Sequence, residues 1–255
     1  MPDSVKPGSE QTRIKQAGAT GALVQVFCYI LLALPALLTM GPLSGLGGLW
    51  TYVIEGVLLL AAVLVWWPFS APGAKDLPDR VICGLLGVAA LVSSYVMQYG
   101  RINALRDGTL TGGSGWEALR GWLEAAAGLL AILAVVMFLR QMARVNHRTQ
   151  VIRGLSLTAF GGLACICAAG WTFLPWLAAA SVTVVGEGKG LILALTLLVA
   201  LAVVVALGWS GVQWVRQAAA SGQPAAARTF GLALLPVMLS GAVIVLTLFV
   251  LHFVI

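Results

Sequence analysis

The chain has 255 residues, 60% of them hydrophobic and only 9% charged, with a mean hydropathy of +0.98. Soluble domains hold roughly 45–50% apolar and about 25% charged residues, so a water-soluble protein is excluded and an integral membrane protein is expected. The net charge of +6 does not indicate nucleic acid, because the Lys and Arg residues lie in short stretches between apolar blocks and not on one polar face; the partner these blocks imply is the lipid bilayer.

Residues 1–20 are polar, with Pro2, Pro7, Lys6, Arg13 and Lys15, and their composition predicts a cytoplasmic tail that does not pack on its own. A first span follows at 21–40. It is nearly 20 residues long and no A-x-A-like site ends it, so a retained helix is expected rather than a signal peptide. Pro35 should bend or break it. The second block, 50–69, opens with Trp50 and Tyr52 and closes with Trp66 and Trp67, the aromatic belts of two membrane interfaces. Glu55 is the acid inside it. A linker with two prolines and mixed charge, 70–80, leads to a third span at 81–99.

In the long connection 100–121, Ser114 and Glu117 fit a capping box, in which each side chain satisfies a backbone donor at a helix start. A helix over 115–145 is predicted, starting just after Ser114. The fifth span, 155–179, carries no charge and should kink or end near Trp171, Pro175 and Trp176. The sixth, 190–215, includes the strongly apolar run at 191–207, the least ambiguous spanning helix in the chain, and the seventh covers 229–255. The expected fold is all-α: a seven-transmembrane-helix bundle forming one membrane domain over 21–255.

Orientation follows from the connector between the fourth and fifth spans. Between positions 140 and 153 it holds Arg140, Arg144, Arg148 and Arg153 and no acid, and short Arg-rich loops stay on the cytoplasmic side. With the N-terminus inside and the C-terminus outside, eleven Lys and Arg face the cytoplasm and four face out; the reverse arrangement would export the eleven. The expected location is the cytoplasmic membrane of a bacterium, crossed several times.

Few polar groups lie at membrane depth. Glu55 stands five residues past Trp50, or about 7–8 Å below the outer interface. It can snorkel to the surface, pair with Arg101 or Arg106, or bind a proton or cation in an outward-facing vestibule. Glu124 approaches from the same side, with Gln98 and Tyr99 of the third span nearby. Arg120 and Glu124 are also spaced i, i+4 for an ordinary surface pair.

The string Gly112-Gly113-Ser114-Gly115 resembles the GxSG motif of rhomboid intramembrane proteases, and the resemblance implies a serine nucleophile at Ser114 served by a histidine on another span, here His252. The surrounding residues depart from that family. Trp116, Glu117 and Arg120 follow where apolar residues are the pattern, and no glycines follow His252. The capping box accounts for Ser114 without chemistry.

No cofactor is expected. Haem held by two intramembrane histidines is not supplied by His147 in the connector and His252 in a span, and no span contains the Lys of a Schiff base. Cys165 and Cys167 lie about 200° apart on a helix, so they do not share a metal. Small residues at helical spacing, including Gly84, Gly87, Gly128, Gly161 and Gly241, suit close helix packing or faces that meet other membrane subunits. The expectation is therefore an accessory or structural subunit of a membrane assembly, with a small transporter using Glu55 as the alternative and an intramembrane hydrolase as a distant third.

Overall fold

Eight α-helices make up a computed structural model that describes residues 7–39, 49–69, 77–99, 112–143, 151–186, 188–220 and 226–254. They are α1 (Pro7–Thr39), α2 (Leu49–Val65), α3 (Leu77–Tyr99), α4 (Gly112–Ala143), α5 (Val151–Ala168), α6 (Leu174–Gly186), α7 (Gly190–Ala220) and α8 (Ala226–Val254). A 3₁₀ segment, Ala169–Phe173, joins α5 to α6. No strand occurs among the described residues.

Six stretches are long and apolar enough to cross a membrane: residues 11–34, 77–99, 116–140, 156–181, 190–220 and 228–253. The seventh expected span is α2. Its 17 residues rise about 25 Å, at the lower end of the roughly 17–25 residues that cross a bilayer, and it falls short of the other six. Seven crossings are thus an expectation that the described helices meet six times.

Burial divides the helices into centre and rim. In α8 and in the α5–3₁₀–α6 stretch about 67% and 72% of the apolar window is buried, against 6% in α7. Over that window α7 is apolar and largely exposed, the surface of a helix that faces lipid, while its C-terminal half, with Gly211, Val212, Val215 and Ala219 buried, packs into the bundle. Leu191, Leu195, Leu198, Leu201 and Val205 line that outer surface, continued by Phe27 and Ile30 of α1 and by Ile132, Val135 and Phe138 of α4.

Where helices touch, glycines let the backbones approach. The α2–α3 pair meets through Gly56 against Leu91, Gly87 against Leu60 and Gly84 against Leu64; α4 meets α5 through Leu133 against Gly162. Closer still is the crossing of α8 with the end of α5 and the 3₁₀ segment. A Cβ on Gly170 would overlap the carbonyl of Gly241, and one on Gly241 would overlap the carbonyl of Cys167.

Three expectations about helix ends are corrected. Residues 7–20 are helical, since α1 starts at Pro7, where proline's fixed φ and missing N–H suit a first helical position. Contacts hold this part in place. Arg13 donates to the Ala219 carbonyl at 3.0 Å, and Gly18 and Gly21 seat against Arg216 and Val215 of α7. The helix also runs unbroken through Pro35. Finally, α4 begins at Gly112, so Ser114 stands within its first turn, where backbone N–H groups still lack helical partners.

Candidate functional site

The most developed polar constellation is buried in the bundle and centres on Gln98. Ser94 and Gln98 share a face of α3 at i, i+4, Thr172 comes from the 3₁₀ segment and Trp176 from the first turn of α6. Ser94 and Thr172 are fully buried, and Gln98 is 1% exposed. The Gln98 amide nitrogen donates to Ser94 Oγ at 2.8 Å and to Thr172 Oγ1 at 2.9 Å. The Trp176 indole N–H donates to Gln98 Oε1 at 3.0 Å. Ser94 and Thr172 hydroxyls bond each other, and Thr172 donates to the Ala169 carbonyl at 2.7 Å.

One proton assignment satisfies the whole set. Indole nitrogen can only donate, which fixes Oε1 toward Trp176 and the amide NH₂ toward the two hydroxyls. Ser94 then donates to Thr172, and Thr172 passes its own proton to the Ala169 carbonyl. The arrangement therefore clamps α3 to the break between α5 and α6. Trp171 adds a second tie, its indole N–H donating to the Val237 carbonyl of α8 at 2.8 Å.

The other expected site residues do not converge on it. Glu55 is half-buried on α2, level with Leu91, because neighbouring Gly56 packs there. Seven residues, about 10 Å of helix rise, separate that level from Gln98. Its Oε2 is buried and has no hydrogen-bond partner among the described residues. Glu124 is exposed and accepts from Arg120 Nε at 3.0 Å, with both side chains about two-thirds exposed. Arg101, like Arg106, lies outside the described residues, and Tyr99 is 65% exposed.

Arg140 enters a second polar cluster, at the opposite end of α3. Its guanidinium pairs with both carboxylate oxygens of Asp79, and Thr158 donates to Asp79 Oδ1 at 2.8 Å. The ion pair is mostly buried, at 22% and 17% side-chain exposure, and joins α3, α4 and α5. Arg140 is therefore a structural partner of Asp79. Arg144 and Arg148 lie outside the described residues; Arg153 is in the first turn of α5.

At the end of the bundle nearer Gln98, His252 of α8 stacks on Trp116, ring centroids 3.9 Å apart and planes 5° apart. This brings the histidine to the first turns of α4. Positions 114 and 116 lie about 200° apart around that helix, and the side chain of Ser114 is outside the described residues.

Of the clusters just described, sequence reasoning named Gln98 and Arg140 and missed Ser94, Thr172, Trp176, Asp79 and Thr158. A signal existed for one pair: Ser94 and Gln98 are polar residues at i, i+4 in an otherwise apolar span. The 3₁₀ segment that presents Thr172 has no comparable mark.

Helix lengths and exposures define a multi-pass, membrane-type helical bundle. Comparison of the chain with family profiles, with characterised proteins and with solved structures finds no match.

Proposed function

We propose that the chain is a non-catalytic accessory or structural subunit of a membrane protein assembly in the cytoplasmic membrane of a bacterium, N-terminus inside and C-terminus outside. The observation that carries this reading is the closed hydrogen bonding around Gln98: the polar side chains of this cluster are occupied by one another. A binding site needs groups left over for its ligand; a scaffold needs them satisfied internally. Purification in mild detergent followed by native mass spectrometry tests it. The reading expects a membrane partner at fixed stoichiometry, and a solitary chain that moves a solute after reconstitution contradicts it.

A second reading, a small transporter or transporter subunit, is favoured by one atom. Glu55 Oε2 is buried without a partner among the described residues, and an unpaired acid at membrane depth is costly enough to mark a proton or cation site. Under that reading Glu55→Gln abolishes ion-coupled uptake in proteoliposomes and leaves assembly intact. Under the subunit reading it changes neither.

A further inference from the structure

Gln25 lies on the inner face of α1 and is 4% exposed, yet its amide nitrogen has no hydrogen-bond partner among the described residues. A buried donor left unmet is costly, and a bilayer offers it no water from outside. Two glycines of α7 make room for the amide. A Cβ on Gly208 would stand 3.3 Å from its Oε1, and one on Gly211 would stand 2.5 Å from its Nε2. The same Cβ on Gly211 would meet Pro236 Cγ at 2.4 Å, so the amide nitrogen and the proline ring sit over one glycine.

Pro236 is inside α8, which continues through it. Proline has no N–H, so the carbonyl four residues back, that of Leu232, loses its helical donor. Residues 231–238 are buried, and that carbonyl is closed off from the membrane surface with them. The facing stretches of the two helices run in register: Tyr29, i+4 from Gln25 on α1, sets its hydroxyl toward Ser240, i+4 from Pro236 on α8. A donor without an acceptor and an acceptor without its donor therefore come to one three-helix junction.

We propose that one ordered water molecule binds at this junction of α1, α7 and α8, accepting from Gln25 Nε2 and donating to the Leu232 carbonyl. Through the water, α1 supplies the hydrogen bond that Pro236 takes from α8. Ordered waters and neighbouring helices satisfy backbone groups freed by proline in membrane helices, and a buried water needs two to four polar partners. Gln98 is the internal contrast, since its amide nitrogen already has two protein acceptors and its cluster is dry. The site depends on the packing of α1, α7 and α8, and on neither the subunit nor the transporter reading.

The test uses the full-length, isotope-labelled protein in phospholipid bilayers and water-edited solid-state NMR, in which magnetisation passes from water protons to nearby amides. Transfer should reach the Gln25 side-chain amide and be several-fold weaker at Gln98, with Gln25→Leu assigning the signal. Relay through exchanging hydroxyls would favour Gln98, whose acceptors are Ser94 and Thr172, so it cannot imitate this result. The spectroscopic comparison is made on the unmodified protein and needs no proline variant to fold. In detergent, Gln25→Leu should lower the melting temperature by about 2–4 °C. That loss should fall to less than half when Pro236→Ala restores a backbone N–H at position 236, because the two changes act on one hydrogen bond. A Gln25 amide as dry as that of Gln98, or a Gln25→Leu loss of equal size in both backgrounds, overturns the proposal.

Discussion

Gln98 shows how a single amide can organise a membrane interior. Its three hydrogen bonds reach three other side chains on three elements, and each partner is buried. Gln98→Leu keeps the volume but strands the Trp176 indole N–H, and a buried group without its partner costs about 1–3 kcal/mol. Interhelical hydrogen bonds in membranes average nearer 0.6 kcal/mol, so a loss of roughly 1–2 kcal/mol is expected in reversible unfolding from detergent micelles. Glu124→Gln, which breaks an exposed i, i+4 pair, should cost no more than about 0.5 kcal/mol in the same assay. Asp79→Asn removes one charge of the buried pair with Arg140, and hydrogen bonds to charged groups are worth about 1.5–3 kcal/mol; a loss in that range, recovered in part by the double variant Asp79→Asn/Arg140→Gln, is expected. Residue roles were only partly legible in the sequence. Glu55 and Gln98 announce themselves as polar residues in apolar blocks. Asp79 looks like one charge of a mixed linker, because its partner stands 61 positions away on another helix.

At the scale of elements, the blocks of apolar residues carried most of the information, since a bilayer demands some 20 of them per crossing. Their ends carried less. Polar residues before a span predict a tail by composition, yet α1 starts at Pro7, and α7 offers Arg13 a carbonyl and seats Gly18 against Arg216, a tertiary effect that composition does not contain. The 3₁₀ segment is a similar case. Trp171 and Pro175 suggest a kink; the helix instead tightens over Ala169–Phe173, where Gly170 lies against Gly241 without room for a side chain. Glycines at such crossings should be intolerant and those facing lipid indifferent. Gly231→Ala places a Cβ against the carbonyl of Trp66, which as backbone cannot rotate away, so a loss of about 1–3 kcal/mol or more is expected from overpacking. Gly128 has nothing within 4 Å of its would-be Cβ, and Gly128→Ala should be neutral or slightly stabilising through helix propensity, by under about 1 kcal/mol. Melting temperatures of the two variants in one detergent give the comparison.

For the whole molecule, the division into a buried pair of elements and an exposed rim follows from the solvent. In lipid there is no hydrophobic force between helices, so the apolar window of α7 can remain largely exposed while α8 and the α5–3₁₀–α6 stretch form the centre. All-helical architecture was legible from composition alone, because only helices satisfy the backbone within each apolar segment of this length. The number of crossings was not, and α2 is the reason. Trp50, Tyr52, Trp66 and Trp67 bracket it as a span, yet its helix has 17 residues. With the N-terminus inside, a crossing by α2 places the 140–153 connector in the cytoplasm, and its failure to cross places that connector outside.

A single cysteine at Thr149 therefore decides the topology. It would be introduced after replacing Cys28, Cys83, Cys165 and Cys167, of which the last three are buried, and intact cells would be treated with a membrane-impermeant maleimide before and after permeabilisation. The account predicts modification only after permeabilisation, with the connector's four arginines inside. Rapid modification in intact cells would contradict it, and would return α2 to the same side of the membrane on which it starts.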